Sequence, residues 1–127
     1  MPVAAEHRTI VEQVFQAMHA RAEGEKQMMS LFAQNAVLTE PFSGQSRTHS
    51  GRDAIRDWFR EAMNQMPPEM TIKMDQIDMA GDQVRADWTC NAPFFEFPMK
   101  GYDLYTIRNG KIEKADYVVT QSPPMPG

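Results

Sequence analysis

The chain of 127 residues lacks the features that mark several large protein classes. A single cysteine excludes an intramolecular disulfide, and no Cys/His cluster has zinc spacing. No apolar run approaches the ~20 residues needed to span a bilayer. The start, Met1-Pro2-Val3-Ala4-Ala5-Glu6-His7-Arg8, shows no apolar run behind a basic segment, so no signal peptide is expected. Basic residues stand singly: 13 Lys and Arg against 17 Asp and Glu leave a net charge of -4. Backbone phosphates demand clustered Lys and Arg, which argues against nucleic acid as a partner. Neither a Gly-rich phosphate loop nor an internal repeat is present. These absences lead to one soluble, cytoplasmic domain that binds neither membrane nor nucleic acid. Its length suffices to bury a core without staples. The domain is expected over residues 1–121, with residues 122–127 as a flexible, proline-rich tail.

Methionine, in contrast, is abundant at 11 residues. Met fills irregular apolar space, which suits an adaptable pocket and a loosely specified core equally well.

The first half carries helical periodicity. Ile10, Val14 and Met18, flanked by Val11, Phe15 and Ala17, give one apolar side to a helix over about residues 5–22, with Gly24 as a stop. A shorter helix is expected around Glu25–Ala33. Val37–Glu40 reads as a short strand ended by Pro41, and Pro41–His49 as a polar loop. Ile55, Trp58, Phe59, Ala62, Met63 and Met66 line one face of a third helix, with Ser50 as candidate N-cap and Pro67-Pro68 as terminator.

Beyond Pro68 the period becomes alternating. Met70, Ile72 and Met74 begin a strand; Val84, Ala86, Trp88 and Cys90 form the buried face of the next. A strand over about Tyr102–Arg108 meets Lys111–Val119 across Asn109-Gly110, a strong hairpin signal. That turn permits more than one register, and a slip of one residue exchanges the faces. Helices followed by antiparallel strands mean an α+β domain.

The run Leu31-Phe32-Ala33-Gln34-Asn35-Ala36-Val37-Leu38-Thr39-Glu40-Pro41-Phe42-Ser43-Gly44, followed by Gly51–Phe59 and the segment Gly101–Ile112, resembles the ketosteroid-isomerase and SnoaL-like branch of the nuclear transport factor 2-like superfamily. The resemblance implies a cone-shaped fold in which three N-terminal helices pack on a curved, mostly antiparallel sheet and enclose a pocket. It implies a small hydrophobic, carbonyl-containing ligand, no cofactor and a homodimer. In the steroid isomerases a carboxylate before a proline at the end of the first strand is the general base, and Glu40 stands at that position. A second, protonated carboxyl on the penultimate strand donates to the developing enolate, and Asp103 falls there. The tyrosine that those enzymes carry on the first helix is replaced by Val14 or Phe15. By the same alignment Trp58 and Trp88 line the cavity, with Phe15 and Tyr105 as further substrate-binding candidates.

Each candidate also has a plain structural reading. Glu40 is either a cavity base or a rim carboxylate in water. Asp103 shares its face with Tyr105 and Ile107, so an acid interrupts an apolar row and must neutralise or find a partner. Asp116 is either its rival or solvent-facing. Phe94, Phe95 and Phe97 are expected to pack rather than form a lid, His49 to lie at the surface, and Cys90 to be a buried, inert thiol. The alternative to an acid/base isomerase, cyclase or dehydratase is a non-catalytic binding or dimerisation module on the same scaffold.

Overall fold

In the computed structural model, which describes residues 2–124, the expected helices and strands appear in the expected order, with one further strand between the first expected strand and the third helix. It runs α1 (Ala5–His19), a 3-10 turn (Arg21–Gly24), α2 (Glu25–Leu31), β1 (Phe32–Glu40), β2 (Arg47–Ser50), α3 (Arg52–Gln65), β3 (Thr71–Ala80), β4 (Gln83–Asn91), β5 (Met99–Arg108) and β6 (Lys111–Gln121). The strands form one open, curved sheet of six in the order β2-β1-β6-β5-β4-β3. Only β1 and β6 run parallel; the other neighbours are antiparallel. The helices cover its inner face, as the α+β reading required. No helix among the described residues is long and apolar enough to cross a membrane. Of the expected tail, residues 125–127 lie outside the described residues, and Pro123 is buried.

α1 buries Ile10, Val11, Val14, Phe15, Ala17 and Met18, the stripe its spacing dictates. It ends three residues early because Arg21 takes a left-handed φ of 57°. The Arg21 guanidinium then donates to the carbonyls of Met66, Pro68 and Met70 at 3.1, 3.0 and 2.9 Å. α3 is capped by Gly51 rather than Ser50, without a side-chain bond.

Two departures from the expected pattern shape the inner face of the sheet. The segment expected as a loop contains β2, which pairs with β1 so that Leu38 faces His49 and Glu40 faces Arg47. Its residues are polar because it is the sheet edge, and an edge strand need not show apolar alternation. The second departure is a bulge in the last hairpin. Asn109 and Gly110 both adopt positive φ, 53° and 75°, as a tight hairpin turn requires. The register is Ile107 opposite Ile112 at the turn, but it shifts before Thr106, so Asp103 lies opposite Tyr117. An unbroken ladder would have set Asp103 opposite Asp116, and like charges directly opposed are unfavourable. Asp116 instead faces outward, 3.7 Å from the Lys114 ammonium.

Gly101 on β5 sits opposite Trp88 on β4. A Cβ there would collide with the Val118 carbonyl oxygen and the Trp88 indole. The missing side chain therefore lets the indole lie flat across β5. Gly101→Ala is expected to cost on the order of 2–3 kcal/mol by overpacking, read as a lower urea midpoint; a midpoint equal to wild type would show that the close approach is not needed.

Candidate functional site

The alternation of β4, β5 and β6 brings Trp88, Asp103, Tyr105 and Tyr117 to one inner patch beneath the helices. Asp103 is 3% exposed. The Trp88 indole N–H donates to its Oδ1 at 2.8 Å and the Tyr105 hydroxyl to its Oδ2 at 2.7 Å. Neither donor carries a charge. Burial pushes the carboxyl up to about 7, although the Tyr105 and Trp88 bonds favour the ionised form; nearby Asp87 adds a smaller upward push. Burial also raises the hydroxyls of Tyr105 and Tyr117 well above the ordinary tyrosine value, and the Asp103 charge adds to it. Both therefore stay protonated at neutral pH.

Among the described residues the buried Tyr117 hydroxyl meets no well-formed hydrogen-bond partner, although the neighbouring Tyr105 hydroxyl is close enough to act on it. Its ring stands edge-on to that of Tyr105, with centroids 6.4 Å apart. Trp58 from α3 lies 5.8 Å from Tyr117 on another side. Phe42, from the segment after β1, leans over Trp88 and Tyr117 at 6.4 and 6.1 Å. Aromatic pairs at such separations are mutually attractive beyond their area burial.

Glu40 faces inward with Leu38 and is fully buried. Its Oε1 accepts the Phe42 backbone N–H at 2.8 Å. Its Oε2 accepts from Arg47 Nε at 2.9 Å and from His49 Nε2 at 2.8 Å. His49 is thus half-buried rather than at the surface, and its ring lies 5.8 Å from Trp58. The two carboxylates are consequently joined through one aromatic set, running from Glu40 and His49 by Trp58 and Tyr117 to Tyr105 and Asp103.

Trp88 and Tyr105 bond Asp103, Trp58 lies against Tyr117, and Phe15 belongs to the same apolar core. Tyr117, Arg47 and Phe42 were not singled out by the sequence, and His49 was expected at the surface. The alternation of Ala115 and Tyr117 was visible, but its phase relative to Asp103 depends on the bulge. Of the three clustered phenylalanines only Phe95 packs on the core; Phe94 and Phe97 are 39% and 41% exposed. Burial raises the Cys90 thiol to about 11, leaving little reactive thiolate. Among the described residues no group of His, Cys, Asp and Glu is arranged to hold a metal ion. Surface recesses lie elsewhere, one against Asp78, Arg85 and Asp87 and one along α3 at Asp57, Arg60 and Glu61.

The SnoaL-like domain profile matches residues 11–115. The chain belongs to the SnoaL-like domain family. Solved structures agree on the scaffold. A protein of Agrobacterium tumefaciens, provisionally assigned as an isomerase of the SnoaL-like family, superposes with a TM-score of 0.74 at 16% identity over 93% of this chain and 100% of its own. A provisionally assigned polyketide cyclase of Sinorhizobium meliloti gives 0.71 at 20% identity over 86% and 93%. A nuclear transport factor 2-like protein of unknown function from Mesorhizobium loti gives 0.72 at 20% identity over 95% and 98%. At such identities the likeness establishes the fold of this SnoaL-like domain. No curated protein matches the sequence significantly.

The burial of Asp103 has a consequence for stability. Its carboxyl moves from the ordinary aspartate value of 3.8 to about 7 in the folded domain. Between those values the folded state keeps a proton that the unfolded state has released, so stability falls as pH rises and levels off above about 7. At about 1.4 kcal/mol per pH unit, this carboxyl accounts for on the order of 4 kcal/mol. Urea unfolding of wild type and Asp103→Asn between about pH 4.5 and 7.5 isolates it. Wild type should lose stability relative to the variant as pH rises; a difference independent of pH would contradict the burial.

Proposed function

We propose that this SnoaL-like domain binds a small apolar molecule carrying a carbonyl oxygen against the inner face of β5 and β6, and moves a proton beside that carbonyl without a cofactor. The reaction class is that of an isomerase, cyclase or dehydratase. The observation that carries this reading is a buried Asp103 carboxyl, raised to about 7, directly across the ladder from Tyr117, whose buried hydroxyl has no well-formed hydrogen bond among the described residues.

Close to pH 7 Asp103 is present in both protonation states, which is what a group that takes and returns a proton needs. In its ionised form it accepts a proton from carbon next to the carbonyl, while Trp88 and Tyr105 hold its oxygens in place. Tyr117 donates to the ligand oxygen as negative charge develops there. A positioned donor of this kind in a dry site is worth about 3–4 kcal/mol of transition-state stabilisation. The first helix, with Val14 and Phe15, supplies no such hydroxyl; on this reading the last strand does. Trp58, Trp88, Tyr105 and Phe15 form the ligand wall, and Glu40 is the second carboxylate, buried at the end of β1.

A second reading, a non-catalytic dimerisation module, draws support from Phe94 and Phe97, which are 39% and 41% exposed beyond β4. Large exposed aromatics mark contact surfaces where they cluster, and sedimentation of wild type against a Phe94→Ser, Phe97→Ser double variant would reveal a homodimer through them.

The acid/base reading is tested with 2-tetralone, a flat apolar ketone with acidic α-hydrogens, followed by NMR in D2O. Wild type should accelerate α-hydrogen exchange, with a rate that rises with pH and levels off above about 7, as base catalysis by ionised Asp103 requires. Asp103→Asn should lower the rate by about 10²–10⁴-fold, and Tyr117→Phe by about 10²–10³-fold. No acceleration over buffer, or equal rates in wild type and Asp103→Asn, would overturn it.

A further inference from the structure

We propose that Phe42 is the door to the Asp103 and Tyr117 site, and that Glu40 is the latch that holds it shut. The proposal rests on the reading of that patch as a ligand site, and it assigns Glu40 as a positioning residue rather than a group that meets the ligand.

Phe42 is 47% exposed, yet its ring covers Trp88 and Tyr117. These are the residues on either side of Asp103: Trp88 bonds its Oδ1, and Tyr117 lies opposite it across β5 and β6. The cover is one ring thick, packed on its inner side and wet on its outer side. Residues 42–46 are all exposed, and their turn is closed by the Gly44 N–H donating to the Pro41 carbonyl at 3.1 Å. Segments with so few buried contacts open at a small fraction of the global unfolding free energy.

What holds the segment is Glu40. One oxygen takes the Phe42 N–H at the start of the segment. The other takes Arg47 Nε at its end, and Arg47 is also the register partner of Glu40 across β1 and β2. A single carboxylate therefore ties both ends of the segment to one point. Burying that charge would be expensive without donors, so carboxylate and closed segment stabilise each other. His49 completes the tie and leans on Trp58, which contacts Tyr117 in turn.

Swinging Phe42 away uncovers an aromatic floor that carries the Tyr117 hydroxyl. The molecule admitted by such an opening is flat and apolar, about the width of the ring it replaces, with an oxygen acceptor directed at Tyr117.

The Trp88 indole proton reports on the door without any ligand, because it is bonded to Asp103 at 2.8 Å. Its hydrogen exchange is measured by NMR on the full chain, with the Trp58 indole as internal reference. Removing the cover in Phe42→Ala should accelerate Trp88 exchange about tenfold or more, as expected for loss of a local closing contact. Glu40→Gln should accelerate it likewise, and Phe42→Leu should restore most of the protection. The Trp58 rate should change by less than about threefold in Phe42→Ala, since the opening is local. Unchanged Trp88 exchange in Phe42→Ala, or both indoles accelerating in step, would overturn the proposal. Because Phe42 is half in solvent, its variant tests the door even if Glu40→Gln does not fold. Failure of the ketone assay with a positive exchange result would discard the chemistry and leave the door standing.

Discussion

A carboxyl group buried among aromatic side chains sets the terms for the rest of this domain. Removing Asp103 from water costs several kcal/mol if it is ionised. The two hydrogen bonds it receives, from Trp88 and Tyr105, recover about 1.5–3 kcal/mol each at best. Desolvation therefore wins, and the carboxyl is held near neutrality. Keeping those two donors in place makes demands on the surroundings. Gly101 must lack a side chain so that the Trp88 indole can cross β5. Tyr105 must share the face of Asp103, which the two-residue period of a strand guarantees.

Glu40 is buried even more completely, yet its surroundings are of another kind. Its donors are a guanidinium, an imidazole and a backbone N–H. Charge-assisted bonds of this type are roughly twice as strong as neutral ones and hold a carboxylate in a fixed geometry. Burial by itself thus assigns neither carboxyl a role. The identity of the donors separates a group suited to exchanging protons from one suited to fastening a loop. The two sites still communicate, through the rings of Trp58, Tyr117 and Phe42.

The SnoaL-like scaffold accounts for where these groups sit, not for what they do. A curved sheet roofed by helices offers inward positions on every strand, and a needed group can be supplied from more than one of them. Here the hydroxyl bonded to the acid is that of Tyr105 on β5, and α1 contributes none.

Local pattern was enough for much of this molecule. The apolar stripes of α1 and α3, the buried face of β4, and the intrusion of Asp103 into an apolar row all follow from spacing, because a side chain's direction is set by its own helix or strand. Those regularities placed Trp58, Trp88, Tyr105 and Asp103 inside. What they could not place were contacts that depend on pairing with a distant strand. β2 was invisible because an edge strand is held by backbone hydrogen bonds to β1, with no apolar alternation to announce it; with β2 unseen, the Arg47 and His49 partners of Glu40 were unseen too. Tyr117 rather than Asp116 meets Asp103 because the ladder slips by one residue before Thr106. The sequence by itself determined the buried faces of α1, α3 and β4 and the place of Asp103 in an apolar row; only the tertiary structure decided the burial of Glu40 and His49 and which buried residues touch, since strand register is settled by the energy of the whole sheet and not by the residues at any one position.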